Sequence, residues 1–315
     1  MKVHRELAPS LPEFRNAVVT IGTFDGVHLG HRQIIAQMKA EADRIDGETV
    51  IITFHPHPRK IISSVPGDIR LLSTLSEKIS LLAAAGIDHL VVVPFDHHFA
   101  SQTADEYVQD FLYRYFKPHT VILGYDHRFG RGRIGDYQLM ENWGSRLGFE
   151  VREIPAALQN EISISSTRIR QALADTDIRH ANNLLGYPYF FEGTVVTGNQ
   201  LGRTIGYPTA NLHIASEEKL IPGNGVYVVN VNLSDSPDQA STSYRGMMNI
   251  GLRPTVDGKK RVIEVNILDF DQDIYGQTLQ VHLLGHIRGE VKFEGLEQLK
   301  AQLAKDKAAA AAFAS

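Results

Sequence analysis

Along the first half of the chain, short unbroken apolar runs alternate with longer stretches whose apolar positions recur at helical spacing. Residues 16–22 (NAVVTIG), 49–56 (TVIITFHP), 88–95 (DHLVVVPF) and 119–125 (HTVILGY) are rich in β-branched residues. Such runs predict strands buried on both faces. Between them, Ile34, Ile35, Met38, Ala42 and Ile45 line one side of a predicted helix, with charged residues opposite. Residues 76–86 predict a helix stopped by Gly86, and residues 104–116 predict another. Strands regularly separated by helices predict a parallel, doubly wound, Rossmann-like α/β sheet.

Near Ser165 the texture changes. Residues 165–186 predict one or two helices closed by Gly186. Five strand-like runs follow without intervening helices, at 189–198, 225–233, 244–251, 261–270 and 277–287. Turn-rich segments part them, which predicts a small antiparallel β-barrel. A last helix covers 294–311, and its alanine-rich end reads as a fraying terminus. The expectation is α/β followed by β, with domains at 1–186 and 187–315.

Composition narrows the functional classes without choosing one. The net charge is −4, from 32 Lys+Arg against 36 Asp+Glu. That argues against a nucleic-acid partner or a basic membrane-surface arm. With 0 cysteines there can be no disulfide framework, thiolate zinc site or cysteine nucleophile. The opening MKVHRELAPSLPEF lacks the apolar core of a signal peptide, and no apolar run reaches the roughly 20 residues of a membrane span. The expected location is the cytoplasm, the expected partners are small molecules, and the expected state is a monomer or weak homo-oligomer.

Two segments carry candidate chemistry. In GTFDGVHLGH, glycines Gly22, Gly26 and Gly30 surround Phe24, Asp25, His28 and His31, where the first long strand gives way to a helix. Glycines let backbone approach a phosphate, a helix N-terminus favours anions, and two histidines can donate to one phosphate group. The plainer reading is a glycine turn with a histidine helix cap. Zinc is disfavoured because no third ligand has recognisable spacing. Gly130, Gly132 and Gly135 spell a dinucleotide fingerprint, but they do not directly follow a strand, so the segment reads as an arginine-bearing loop. In SSTRIR, Ser165 or Ser166 can cap a helix, with Arg168 and Arg170 available to phosphate; an ordinary capped helix with exposed arginines is the alternative.

The second segment, residues 198–212 (GNQLGRTIGYPTANL), packs glycines, an arginine and hydroxyls between strands. No Walker A motif occurs, which excludes a P-loop kinase. Thr209 and Asn211 could hold a hydrated Mg²⁺, although a glycine-rich β-loop explains the same residues. Glu264 alternates with Val262 and Asn266 on one strand face, as either a solvent-facing residue or a base.

GTFDGVHLGH resembles the signature of the HxGH nucleotidyltransferases, and its surroundings are similar to prokaryotic bifunctional riboflavin kinase/FAD synthetases. In TFHPHPRK, the resemblance implies that His57 lies near the nucleotide. In LGYDHRFGRGRIGD, it implies Asp126, Arg128 and Phe129 toward flavin or ATP. Ser165, Ser166, Thr167 and Arg168 would lie close to the triphosphate. GNQLGRTIGYPTAN, with Gly202, Arg203, Gly206 and Pro208, resembles the hallmark of the riboflavin kinase barrel. The similarity implies that Thr209 and Asn211 bind Mg-ATP and that Glu264 is the general base for the ribityl hydroxyl. NIGLRPTV, which carries Arg253, and HIRGEVKF, with Arg288 and Phe293, match later barrel segments. The departures are His127, where the family has an aromatic residue, and Val265 and Asn266 beside the base. The implied function is phosphorylation of riboflavin to FMN, then adenylylation of FMN to FAD with release of pyrophosphate. ATP would be co-substrate in both steps. The rival readings are one retained activity, or a flavin-binding regulatory module without turnover.

Overall fold

The structure is a computed structural model that describes residues 1–7, 11–62, 69–124, 127–154, 164–198, 201–233, 242–255 and 258–314. The chain forms two compact units, Met1–Ser165 and Ser166–Ser315. In the first, chain order is β1 (Lys2–His4), β2 (Val18–Ile21), α1 (Leu29–Ile45), β3 (Thr49–His55), α2 (Pro58–Ile62), α3 (Leu75–Ala84), β4 (His89–Pro94) and α4 (His97–Ser101). Then come α5 (Ala104–Glu106, π-helical Tyr107–Tyr113, Arg114–Phe116), β5 (Thr120–Gly124), α6 (Tyr137–Leu147) and β6 (Glu150–Ile154). All six strands are parallel, in the order β1-β4-β3-β2-β5-β6.

Strand alternation divides the apolar runs between two cores. Val19, Ile21, Val50, Ile52, Val91, Val93, Val121 and Leu123 face the helices of α5 and α6. Val18, Ile51, Leu90, Val92 and Ile122 face α1 and α3. Both sheet faces are therefore covered, which is why the central strands read as continuous apolar runs. The strand order reverses at β2, flanked by β3 on one side and β5 on the other. Beyond the carboxyl ends of strands at such a switch point, an open α/β sheet leaves a crevice for ligands.

The second unit begins with α7 (Ser166–Ala174) and α8 (Ile178–Leu185), the latter closed by Gly186 at φ 77°. These helices are tied to the strands that follow: Gly223 N donates to Leu173 O, and Asn182 bonds both Leu283 O and Tyr189 N. The compact second unit thus starts at Ser166, where the sequence texture changes, and includes both helices. Six strands close a barrel in the order β10-β11-β8-β7-β12-β9. They are β7 (Phe190–Val196), β8 (Ala210–His213), β9 (Gly225–Leu233), β10 (Ser243–Thr255), β11 (Gly258–Ile267) and β12 (Thr278–Arg288), with the short α9 (Leu201–Thr204) before β8. Periodicity predicted five of these strands. The sixth, β8, is short and follows a Gly-Tyr-Pro turn, yet it bridges β7 and β11.

The final helix, α10 (Leu296–Ala312), corrects the expectation of a fraying alanine end. Ala310 is fully buried against Val228, Met247 and Leu268, with Leu303 and Phe313 packed alongside. Alanine here permits close approach of helix to barrel. Among the described residues, no helix is long and apolar enough to cross a membrane.

Candidate active sites on the two units

The turn from β2 into α1 is built under backbone strain. Phe24, Gly26 and Val27 all have positive φ, at 47°, 79° and 37°. For the two residues with side chains this conformation is costly, and such outliers cluster at functional sites. Buried contacts hold the turn in place. Asp25, 2% exposed, accepts from Leu72 N at 3.1 Å and Ser73 N at 3.0 Å, while Ser73 Oγ accepts from Gly26 N at 3.0 Å. Gly22 N extends the pairing to Ile52 O.

That turn delivers two histidines to one point. His28 is the N-cap of α1, and its Nδ1 accepts from His31 N at 3.4 Å. The two rings stack at 3.7 Å between centroids, and the Phe24 ring lies 4.7 Å from that of His31. Gly30 makes this possible, because a Cβ there would meet the His28 ring at 3.3 Å. It would also meet Ile164 at 3.9 Å, so the chain leading into Ser165 passes over the first turn of α1. His31 Nδ1 is buried without a hydrogen-bond partner among the described residues. Burial, then His28, then Lys78 hold the His31 imidazole well below its ordinary pKa, so the ring is neutral at pH 7. A stacked histidine pair at a helix N-terminus, with the His31 ring neutral, has the donors that a phosphate needs.

The other residues singled out in this unit are arranged less directly. His57 accepts from Arg59 N through Nδ1 at 3.2 Å, at the start of α2. Arg128 bonds Asp136, which caps α6 through Leu139 N. Phe129 is only 4% exposed, with Tyr107 5.1 Å and His127 6.0 Å away between centroids, and it exchanges both backbone bonds with Gly135. The ring therefore braces its loop and offers little free surface for a flavin. Asp126 lies outside the described residues. Ser165 and Ser166 are half-buried, whereas Thr167 and Arg168 are exposed on the first turn of α7. Gly130 and Gly132 both take positive φ in a short turn, in keeping with a loop and not a dinucleotide fingerprint.

In the barrel, a cavity of about 300 Å³ is lined by Gly202, Thr209, Arg253, Glu264 and Arg288, all singled out from the sequence. Strand register explains the grouping. Glu264 on β11 lies directly across from Asn211 on β8 and from Asn249 on β10, so three polar side chains form one row. Arg253 donates to Glu264 Oε1 at 2.6 Å, which orients the carboxylate. Gly202 O accepts from Tyr207 N at 2.8 Å, and a Cβ on Gly202 would collide with the Tyr207 carbonyl. Gly206 takes φ 85° in the same turn, Arg203 is exposed, and Pro208 O accepts from Asn266 Nδ2 at 2.7 Å. The two departures beside Glu264 thus have clear places: Val265 is fully buried in the core, and Asn266 pins the Gly-Tyr-Pro turn.

Sequence reasoning missed Asn249 and Asp306, which also line the cavity. Asn249 could have been noticed as a lone polar residue within MMNIG. Asp306, 1% exposed, accepts from Arg288 Nε at 3.1 Å and Nη2 at 2.7 Å, and from Gln302 Nε2 at 2.8 Å. Arg288 is therefore an anchor for α10 as well as a cavity wall. Asp306→Ala leaves the half-buried Arg288 guanidinium without its carboxylate partner, and the expected loss is about 2 kcal/mol in urea denaturation. A loss below about 1 kcal/mol, the scale of an exposed pair, would show that the pair is not an anchor.

Comparison with known proteins agrees with this division. The family model FAD synthetase matches residues 11–168, and the model Riboflavin kinase matches residues 185–314. The bifunctional riboflavin kinase/FMN adenylyltransferase of Escherichia coli K12 is 39% identical over 297 residues, covering 94% of this chain and 92% of its own. The protein of the same name from Haemophilus influenzae is 36% identical, with 99% of each chain covered. A crystal structure described as a macrolide-efflux protein from Streptococcus pneumoniae superposes with a TM-score of 0.90 at 32% identity, covering 99% of both chains. The chain belongs to the bifunctional riboflavin kinase/FMN adenylyltransferase family.

Proposed function

We propose that this chain makes FAD in two ATP-dependent steps, one on each site. In the barrel, the ribityl hydroxyl of riboflavin attacks the γ-phosphorus of ATP, forming FMN and ADP. At the β2–α1 turn, a phosphate oxygen of FMN attacks the α-phosphorus of a second ATP, forming FAD and pyrophosphate. The observation that carries this reading is that each matched family brings its own polar cluster. The stacked His28–His31 pair lies at the switch point of the sheet, and the Asn211–Glu264–Asn249 row lies across the barrel strands.

In the kinase step Glu264 takes the hydroxyl proton. Arg253 bonds Oε1, and Oε2 has no hydrogen bond among the described residues. The oxygens of Thr209 and Asn211 are hard, neutral donors that suit Mg²⁺, which keeps much of its water. When bound, the ion offsets charge on the γ-phosphate. In the adenylyl step His28 and His31 donate to the α-phosphate as negative charge develops. Asp25 acts at one remove by fixing the turn. His57, Arg128 and the Ser165, Ser166, Thr167 and Arg168 segment are assigned to the nucleotide. The domains of the two activities are 1–186 and 187–315, in a cytoplasmic monomer or weak homo-oligomer with small-molecule substrates.

Purified protein given riboflavin, ATP and Mg²⁺ should accumulate FMN first and FAD after it, followed by chromatography in time. FMN without FAD would sink the two-step reading, and so would FAD formed only from supplied FMN.

A further inference from the structure

Below the histidine turn lies a lysine that the chemistry above does not use. Lys78 sits on the inner face of α3 beside Leu82 and is 6% exposed. Its Nζ donates to Thr53 Oγ1 at 3.4 Å, and Thr53 Oγ1 donates to the Thr23 carbonyl at 3.2 Å. This chain of bonds ends on the turn that carries Phe24 and Asp25. An ammonium has three N–H donors. Among the described residues, one long hydrogen bond is all that the Lys78 ammonium makes. Taking a cation out of water costs several kcal/mol unless it is well paired. An apolar side chain at this position would serve packing better, so packing does not explain the lysine.

Its surroundings point to an anion. The groups facing Lys78 are Asp25 from the turn and His31 from α1, with His28 stacked behind His31. Glu77, next to it on α3, spends its carboxylate on Thr74 N at 2.8 Å. The Asp25 oxygens are already engaged by Leu72 and Ser73, so that carboxylate offsets the cation only in part. His31 Nδ1 is likewise buried and unpartnered. Two under-satisfied polar groups therefore sense each other at one turn, beside the N-terminus of a 17-residue helix.

We propose that Lys78 is a positioning residue of the adenylyl-transfer site, setting a positive field under the β2–α1 turn for the ATP phosphates and bracing that turn through Thr53 and the Thr23 carbonyl. The inference rests on the adenylyl-transfer reading of the same turn. The fixed cation also disfavours a second charge on His31, which keeps that ring a neutral donor. Burial lowers the Lys78 ammonium to about 8, opposed by Asp25. The field is consequently full below that pH and is lost above it.

The test is FMN adenylylation with FMN supplied and ATP varied, from about pH 6.5 to about pH 10, in wild type, Lys78→Met and Lys78→Arg. Riboflavin phosphorylation in the same preparations reports on the other unit. Methionine keeps the volume and removes a buried charge, so the fold should persist. The expected result for Lys78→Met is a fall of about tenfold in kcat/KM for ATP near neutral pH, chiefly through KM, because a phosphate-directed charge is lost. Wild type should lose kcat/KM for ATP above about pH 8, and Lys78→Arg should stay within about threefold and carry that alkaline limb higher, since guanidinium does not titrate there. Phosphorylation should not change in either variant. Wild-type kcat/KM in Lys78→Met would overturn the proposal. So would an unmoved alkaline limb in Lys78→Arg, which is decisive even if the methionine variant does not fold. Failure of wild type itself to form FAD would remove the underlying reading instead.

Discussion

His28→Ala should lower kcat for FAD formation from FMN and ATP by about 10²–10³-fold, the usual cost of losing one preorganised donor at a developing oxyanion. Riboflavin phosphorylation should remain within about twofold, because that site is built on a different fold with its own core. His28 has two jobs, and the substitution removes both. As N-cap it accepts from His31 N, a role worth about 1 kcal/mol in such positions. As a ring it stacks on His31 at 3.7 Å and fixes the direction in which that imidazole faces. His28→Asn separates them, since asparagine is among the best N-caps but has no imidazole. If the asparagine variant is as slow as alanine, the ring carries the chemistry. FAD formation within about threefold of wild type in both variants, a loss far below that of a preorganised donor, would mean that the histidine pair is not the site.

The parallel sheet was legible because a strand buried on both faces must be largely apolar, and four of its six strands are. β1 and β6 escaped notice for the converse reason: they are edge strands, and KVH and EVREI are largely exposed and polar. β8 escaped because four residues after a Gly-Tyr-Pro turn carry no period. Its register nevertheless brings Asn211 across from Glu264 and so assembles the barrel site.

The site residues divide along the same physical line. The histidines could be read because both lie within one local turn. Leu72 and Ser73, which hold Asp25, are 47 and 48 residues away, and no local pattern announces such a contact. Asp306 reads as a surface residue in an Ala/Lys helix until the fold brings Arg288 to it. Lys78 did leave a trace: it falls three residues after Leu75 and four before Leu82, on the apolar stripe of its helix. A charge on a stripe that packing wants apolar calls for either a partner or a ligand. Phe129 shows what a motif leaves out: the resemblance directs it toward flavin or ATP, while only the fold reveals that its buried ring packs beside Tyr107.

Glu264→Gln should reduce riboflavin phosphorylation by about 10²–10⁴-fold, the range expected for loss of a general base. FAD formation from supplied FMN should be untouched. Glutamine keeps the volume of glutamate, and its amide oxygen can still accept from Arg253, which in wild type reaches Oε1 at 2.6 Å. The cavity, the β11–β8 register and the row of Asn211 and Asn249 should therefore survive. What is lost is the ability to take a proton, since an amide is not a base at neutral pH. The effect should appear in kcat with little change in the KM for riboflavin, because binding contacts are retained while a transition-state interaction disappears. A rise in KM with kcat preserved would instead make Glu264 a binding residue. Together with His28→Ala, this variant should produce a double dissociation on one chain: one protein that stops at riboflavin yet adenylylates FMN, and another that makes FMN and stops there. Neither rival, a single retained activity or a flavin-binding module without turnover, can give that pair of results.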